Sequence, residues 1–310
     1  MQNASTIIFY RIPFSKLTES YLDEALRLKL KIGYDIDDPI FDKEIYSQNT
    51  NLNFLDKGEK KQLIKNAKHY ASILRQCDFV TTSTPFMKEI LHKYTKGNVY
   101  IWRNLMDAQS LNAAKVAMQL AERNTDPNKF VLGYMSGSRA HEADFEIVID
   151  AIETILDKYS QVDFYIVGYA KLAKSLSKKF GKRVIHIEFS EYYAYMASFL
   201  KFDLNIIPLV QNQFNECKSA IRYLESSLLE VPSLVTYIGD FKHIIKHKET
   251  GIFVYKNTTA EWVSTIEWSI ENKENLHTIG KAAKENTLSN YSTISVNDES
   301  FNPEILTIEI

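Results

Sequence analysis

The feature that most constrains the fold is a regular alternation of strand-like and helix-like segments. "TIIFY", near residue 8, is rich in β-branched and aromatic residues, and "SKLTESYLDEALRLKLK" then places apolar residues at every third or fourth position. The pattern repeats with "KIGYD", a helix within 57–76, "DFVTTST", a helix near 85–95 and "NVYIW". Such alternation predicts an α/β fold with a parallel sheet covered on both faces.

A second, longer alternation begins at "KFVLGYM". Four further strands are predicted at "VDFYIVG", "RVIHIEF", "FDLNIIPL" and "PSLVTYI", and the helices are predicted at 142–158, near 170–180, near 190–200, at 218–230 and after 240. In open parallel sheets the carboxyl ends of the strands lie at one edge, where ligands bind. Two such sheets facing each other would leave a cleft between them.

These patterns predict two domains of unequal size. The first covers residues 1–107, and 108–128 are interpreted as a connector because they lack a strand signal and are rich in good helix formers. The second domain covers 129–290. The tail, 291–310, has no clear helical stripe.

Bulk properties exclude several functional classes. The net charge of −2 over 310 residues gives no electrostatic bias toward nucleic acid, and no apolar run is long enough for a membrane span. The first residues lack the features of a signal peptide, so we expect a soluble, cytoplasmic protein. Cys77 and Cys217 lie far apart without metal-ligand spacing, which predicts two reduced thiols and no structural zinc.

The stretch from Phe214 to Val254 carries the most chemistry. It contains a predicted helix, Ser219 to Glu230, with an apolar stripe of Ile221, Leu224 and Leu228. Lys218, Arg222 and Glu225 share the neighbouring face at spacings of four and three.

Free amides at a helix start beside Lys218 would suit a phosphate or diphosphate. Glu225, further along the same face, could accept hydrogen bonds from sugar hydroxyls. The same spacing also fits a solvated helix face with alternating charges, and spacing alone does not decide between the two.

A small-residue loop follows the first strand of the second domain. Ser136, Gly137 and Ser138 stand where backbone can approach a phosphate closely, although many strand-to-helix turns look alike. His141 fits either this loop or a helix start whose side chain bonds the backbone.

These segments resemble the donor site of the GT-B glycosyltransferases of family four, the group 1 glycosyltransferases. A bacterial subgroup carries the pattern F-N-x-C-K-S-x-I-K-Y-L-E followed by V-P and a later glycine, and a second pattern G-Y-x-S-G-[ST]-x-x-H-x-x-D-F. "FDLNIIPL" is similar to the family's strand before the donor loop. The first pattern is matched by Phe214, Asn215, Cys217, Lys218, Ser219, Ile221, Tyr223, Leu224, Glu225, Val231, Pro232 and Gly251. The second is matched by Gly133, Tyr134, Ser136, Gly137, Ser138, His141, Asp144 and Phe145.

The resemblance implies two Rossmann-like parallel-sheet domains facing a cleft, with the amino-terminal one shortened. It places Lys218 and the amides of Ser219 and Ala220 on the donor diphosphate, and Glu225 on the ribose hydroxyls. Lys218 and Glu225 are the implied catalytic residues. The other donor-binding candidates are Ser136, Gly137, Ser138, Arg139, His141 and Glu216.

The implied reaction is sugar transfer with retention of configuration, without a metal or cofactor beyond the nucleotide-sugar donor. The implied acceptor is a glycan or a lipid-linked hydroxyl in bacterial surface polysaccharide synthesis, in the cytoplasm or at the inner face of the membrane. A partner glycosyltransferase or a homo-oligomer is compatible with the small first sheet, and no nucleic acid is expected.

One departure concerns the wider family's Glu-x7-Glu pair. Counting back from Glu225 places Cys217 where the first glutamate would stand, with Glu216 as its neighbour. A non-catalytic nucleotide-sugar-binding or partner subunit is therefore an alternative. The base, the sugar and the acceptor are not fixed, because residues 188–193 suit base contacts or core packing equally.

The motif "KIGYDIDDPIF" places Asp35, Asp37 and Asp38 within four residues. An Asp-x-Asp metal site is disfavoured, because the implied diphosphate site lies in the other domain. The motif resembles a turn in the amino-terminal domains of the same subgroup. Two interpretations stay open: Asp35 and Asp37 hold acceptor hydroxyls, or Asp37 and Asp38 cap the loop before Pro39 through local backbone bonds.

Overall fold

The computed structural model describes residues 4–123, 126–136, 141–170, 173–188 and 190–294. These residues form two compact units. Of the described residues, the first unit comprises the chain up to Asn104 together with Asn212–Ser219, and the second comprises Leu105–Gln211 together with 220–294. The domain boundaries given above stay predictions.

The first unit is built on a four-stranded parallel sheet in the order β1-β2-β3-β4. Its strands are β1 (Thr6–Tyr10), β2 (Lys31–Asp35), β3 (Phe79–Thr82) and β4 (Asn98–Ile101). Its first helices are α1 (Lys16–Arg27), α2 (Lys43–Ser47), α3 (Lys57–Leu74) and α4 (Pro85–Leu91), with a 3-10 turn at Thr50–Phe54. The predicted strands and the long helix are confirmed, whereas α2 and the 3-10 turn are too short for periodicity to indicate.

Local capping explains where these helices start. Ser15 forms a capping box with Thr18 at α1, and Asp56 accepts two backbone amides at the start of α3. Thr84 caps α4, where Pro85 occupies the first turn. The strands between them are short and buried, as a sheet covered on both faces requires.

The second unit holds a six-stranded parallel sheet in the order β10-β9-β8-β5-β6-β7. The strands are β5 (Phe130–Ser136), β6 (Val162–Gly168), β7 (Val184–Ile187), β8 (Leu204–Ile207), β9 (Ser233–Thr236) and β10 (Ile252–Val254). The chain runs outward from β5 to β7 and then returns to β8 on the other side of β5. The strand order therefore reverses between β5 and β8, the position where open α/β sheets bind ligands.

Helices connect these strands. Before and among them lie α5 (Ala108–Leu120), α6 (Glu142–Glu146), α7 (Ile149–Lys158), α8 (Ala173–Phe180), α9 (Tyr192–Ser198) and α10 (Gln213–Glu216), the last of which belongs to the first unit. After β8 come α11 (Ile221–Leu228), α12 (Phe241–Ile244), α13 (Thr259–Glu271) and α14 (Lys273–Asn290). Ala113, Ala114 and Ala117 of α5 are buried in the core of the second unit.

Three predictions about elements are wrong in detail. Only helices were expected after residue 240, but β10 lies there at the sheet edge; at three residues it is too short to stand out as a pattern. The helix expected over 142–158 is interrupted between α6 and α7. The helix expected over Ser219–Glu230 covers only Ile221–Leu228, and Ile221 is 40% exposed, so it is not part of the buried stripe.

The predicted fold class is confirmed. The protein is α/β with two parallel sheets, and the amino-terminal sheet is the smaller one. Cys77 and Cys217 are both free and buried, as expected for reduced thiols.

Candidate functional site

The carboxyl end of β5 lies at the ligand-binding edge expected for the second sheet. Ser136 is buried there and lies opposite Gly168 of β6. Gly168 has a φ of +89°, and a Cβ at this position would lie 2.0 Å from the Ser136 carbonyl oxygen. Glycine is therefore required for the two strands to end together. Gly137, Ser138 and Arg139 lie outside the described residues.

Asp144 ties together the segments that follow β5 and β8. Its carboxylate accepts a hydrogen bond from the backbone N–H of Val210 at 3.0 Å and contacts His141 Nδ1 at 3.2 Å. Because an ionised carboxylate only accepts, the Nδ1 of His141 donates. Burial alone would raise the pKa of Asp144, but these bonds hold it below its ordinary value. His141 thus bonds a buried carboxylate that fixes the loop after β8.

The helix α11 starts at the same edge without a side-chain cap. Ala220 occupies the cap position and makes no side-chain hydrogen bond to the helix. Arg222 lies in the first turn, and its charge lowers the pKa of both Asp144 and Glu225. A cation and an uncapped helix start give this edge a positive field that favours an anion.

Glu225 follows one turn later and is only 8% exposed. Tyr195 of α9 donates a hydrogen bond to its Oε2 at 3.1 Å, whereas the hydroxyl of the neighbouring Tyr192 donates to Ser110 Oγ at 3.1 Å. Burial raises the pKa of Glu225 to about 6, although both tyrosines and Arg222 act in the opposite direction. Near neutral pH the group is mostly an ionised acceptor in buried surroundings, which suits hydroxyl donors.

The segment Asn212–Ser219 makes its contacts within the first unit. Phe214 and Cys217 are buried in the core of that unit. The Thr84 hydroxyl donates to the Cys217 carbonyl at 3.3 Å, and Asn104 donates to the Ser219 hydroxyl at 2.9 Å. Glu216 is half-buried at the end of α10. The cysteine at the expected glutamate position is therefore a core residue.

Lys218 of this segment joins a charged network at the end of β2. Its Nζ lies 2.8 Å from Asp38 Oδ1 and over the Phe214 ring at 4.7 Å. Arg11 bonds Asp37 at 3.0 Å and Asp38 at 3.1 Å. Burial would raise the pKa of Asp38, but Lys218 and Arg11 hold it below its ordinary value.

Asp35 ends β2 beside this network. It accepts a hydrogen bond from the Thr81 hydroxyl at 2.9 Å. Burial, with a smaller contribution from the negative charge of Asp37, raises its pKa. The side chains of Asp37 and Asp38 form ion pairs with Arg11 and Lys218. At this position, where capping of the loop before Pro39 was one interpretation, the structure therefore has a network of charged side chains.

The predicted site residues thus divide between the units. Asp35, Asp37, Asp38, Glu216, Lys218 and Ser219 belong to the first, and Ser136, His141, Ala220 and Glu225 belong to the second. Sequence reasoning missed Arg11, Tyr192 and Tyr195 as partners. No sequence signal marks Arg11. Tyr192 lies within 188–193, which were left open between base contact and core packing, and Tyr195 follows two residues after that range.

The described residues contain neither a cluster of metal ligands nor a helix suited to a membrane. No group of three or more His, Cys, Asp or Glu side chains within the described ranges could hold a metal ion. Among the helices of those same ranges, none combines the length and apolarity needed to cross a bilayer.

Solved structures share this fold. Sucrose-phosphate synthase from Thermosynechococcus elongatus matches with a TM-score of 0.66 and 12% identity over 97% of this chain and 74% of its own. HepE from Anabaena, in complex with UDP-glucose, matches with 0.65 and 16% over 97% and 79%. A glycosyltransferase from Rickettsia africae matches with 0.60 and 13% over 93% and 80%. At these identities the likeness establishes the GT-B type of fold.

No curated protein matches the sequence. The family model "Glycosyl transferases group 1" matches residues 119–286, which is more than half of the chain and includes β5–β10, α11 and Glu225. The chain is therefore a glycosyltransferase that belongs to the group 1 glycosyltransferases.

Proposed function

We propose that the protein transfers a sugar from a UDP-sugar donor to a hydroxyl of a glycan or lipid-linked acceptor. The observation that carries this proposal is Glu225, a buried carboxylate held by the Tyr195 hydroxyl next to Arg222 at the carboxyl edge of the second sheet. HepE, whose fold is similar, was solved with UDP-glucose, which supports uridine as the base.

In this proposal Glu225 accepts hydrogen bonds from the ribose hydroxyls. The Tyr195 hydroxyl already donates to its Oε2, so this carboxylate takes O–H donors. The uncapped start of α11 and Arg222 attract the diphosphate, with the amides of Ser219 and Ala220 as further donors. Ser136, Gly137, Ser138, Arg139, His141 and Glu216 complete the proposed donor set.

Lys218 has a conditional role in the proposal. Its Nζ is bound to Asp38 at 2.8 Å, so contact with a diphosphate requires it to share or exchange this partner. An ammonium can do so, because it has three donors on a flexible stem. Asp38 would then orient Lys218. Asp35 and Asp37 bond Thr81 and Arg11 through their Oδ1 atoms, and their Oδ2 atoms would accept from acceptor hydroxyls.

The proposed chemistry is transfer with retention and without a metal. As the bond from sugar to diphosphate breaks, negative charge grows on the diphosphate oxygens. Fixed cations and helix amides stabilise this charge more in the transition state than in the ground state. The departing diphosphate can take the acceptor proton, so this route needs no separate protein base. A role in bacterial surface-glycan synthesis, with a partner chain, is part of the same proposal.

The test is hydrolysis and transfer of labelled UDP-, GDP- and dTDP-sugars, with and without EDTA. We expect turnover with a UDP-sugar that EDTA leaves unchanged. The turnover rate should fall strongly in Arg222→Ala, Glu225→Ala and Lys218→Ala. Glu285→Ala, an exposed site on α14, is the matched control. Full activity in Glu225→Ala and Arg222→Ala would refute the donor site, and turnover only with GDP- or dTDP-sugars would refute uridine as the base.

A further inference from the structure

A second candidate site lies in the first unit, where α2, α3 and the end of α4 surround a cavity of about 730 Å³. Seven of its eleven lining residues are lysine or arginine, and none is acidic. Five of the seven are lysines of α3, and the other two are Lys43 and Arg75. No described residue forms an ion pair with any of these seven side chains.

The lysines are arranged as a stripe along α3. Lys57, Lys61 and Lys65 follow each other at spacings of four, and Lys60 and Lys68 lie beside them at spacings of three. Like charges at these spacings destabilise a helix by a few tenths of a kcal/mol per pair. Glu59 is the only acidic residue within α3. A bound anion would relieve this repulsion.

The floor of the cavity is apolar. It includes Phe41 and Tyr94, whose rings meet edge to face at 5.0 Å, together with Ile64 and Ala71. The nearby carboxylate of Asp42 already accepts two backbone amides at the start of α2, at 2.9 Å each. The cavity thus joins a cationic wall to an apolar floor.

An exposed apolar rim adjoins it at the start of α3. Phe54 is 51% exposed, and Leu55 next to it is also exposed. Lys60 donates to the Asn53 side chain at 2.6 Å, so this segment lies against a lining residue of the cavity. A rim of this kind suits hydrocarbon, whereas a nucleic-acid backbone would gain nothing from it.

We propose that this cavity binds the phosphate headgroup of an anionic lipid at a bilayer surface, with Phe54 and Leu55 entering the interface beside it. The lysines neutralise the phosphate, and the aromatic floor and rim accommodate the apolar part of the lipid. The site is separate from the residues proposed for sugar transfer. Its binding test therefore succeeds or fails independently of the proposed function.

The experiment is co-sedimentation of the full chain with vesicles of phosphatidylcholine, with or without phosphatidylglycerol. We expect binding only to the anionic vesicles at about 0.1 M salt and its loss near 1 M, since salt screens exposed charges. Each lysine near an anionic surface contributes about fivefold to binding, so Lys61→Glu with Lys65→Glu should weaken it by at least about 25-fold. The control, Lys178→Glu with Lys182→Glu, makes the same charge change at exposed positions of the second unit and should bind as the wild type does.

A second variant, Phe54→Ser, keeps the charge and should weaken binding severalfold through loss of the rim. Circular dichroism verifies that each variant folds. Absence of binding to anionic vesicles, equal binding to neutral vesicles, or equal weakening by the control pair would each overturn the proposal. Binding of a single-stranded oligonucleotide without binding of vesicles would overturn it as well.

Discussion

Glu225→Gln tests the electrostatics of the proposed donor site without any ligand. The carboxylate is buried, and its pKa is raised from an ordinary value of 4.5 to about 6. Glutamine has the same shape, and its carbonyl oxygen can still accept from Tyr195. The substitution therefore removes the titration and keeps the packing.

The expected magnitude follows from the pKa shift. One pKa unit corresponds to about 1.4 kcal/mol, so a shift from 4.5 to about 6 corresponds to about 2 kcal/mol. Between these two values the folded state binds more protons than the unfolded state, so its free energy of unfolding falls as pH rises. The wild type should lose most of this contribution of about 2 kcal/mol between pH 4.5 and 7.5, whereas the glutamine variant loses none of it.

The assay is urea unfolding of both proteins at several pH values in that range. All other titrating groups are common to both chains, so the difference between the two pH profiles isolates Glu225. Glu285→Gln, at an exposed position of α14, is the control and should follow the wild-type profile. Parallel profiles for wild type and Glu225→Gln would refute the claim that Glu225 is buried with a raised pKa.

Three further predictions concern the rest of the structure. Asp38→Asn should destabilise the first unit by about 2 kcal/mol, because Arg11 and Lys218 lose their shared carboxylate. Urea unfolding at pH 7 measures this loss, and an unchanged free energy of unfolding would contradict the charge network. Gly168→Ala should lower the melting temperature clearly more than Gly181→Ala does. Both glycines have a positive φ, but only at Gly168 would a Cβ clash with a carbonyl oxygen, and equal decreases would contradict this close approach. Cys77 and Cys217 should react with a thiol reagent only after unfolding, because both are buried and burial raises the pKa of each thiol. Rapid labelling of the native protein would contradict their burial.

The sheets were predictable from sequence because their strands are apolar runs separated by clear helical periodicity. Elements of three to five residues, such as β10 and α2, carry too little pattern for that reasoning. The break between α6 and α7 was missed for a related reason, since the helical periodicity of the sequence continues across it.

The candidate site was predictable only in part. Glu225 and Asp144 lie within segments whose residue types and spacing indicated a site. The partners that set their properties, Tyr195 and Val210, come from distant parts of the chain and are fixed by tertiary contacts. The same holds for Lys218, whose place beside Asp38 follows from the burial of Phe214 and Cys217 in the first unit, which a local motif does not report.

The most direct test of the central claim is a crystal structure of the protein with a UDP-sugar. The account predicts ribose hydroxyls within about 2.6–3.2 Å of the Glu225 carboxylate and the diphosphate at the start of α11 near Arg222. A nucleotide bound elsewhere, with Glu225 still bonded to Tyr195 alone, would contradict it.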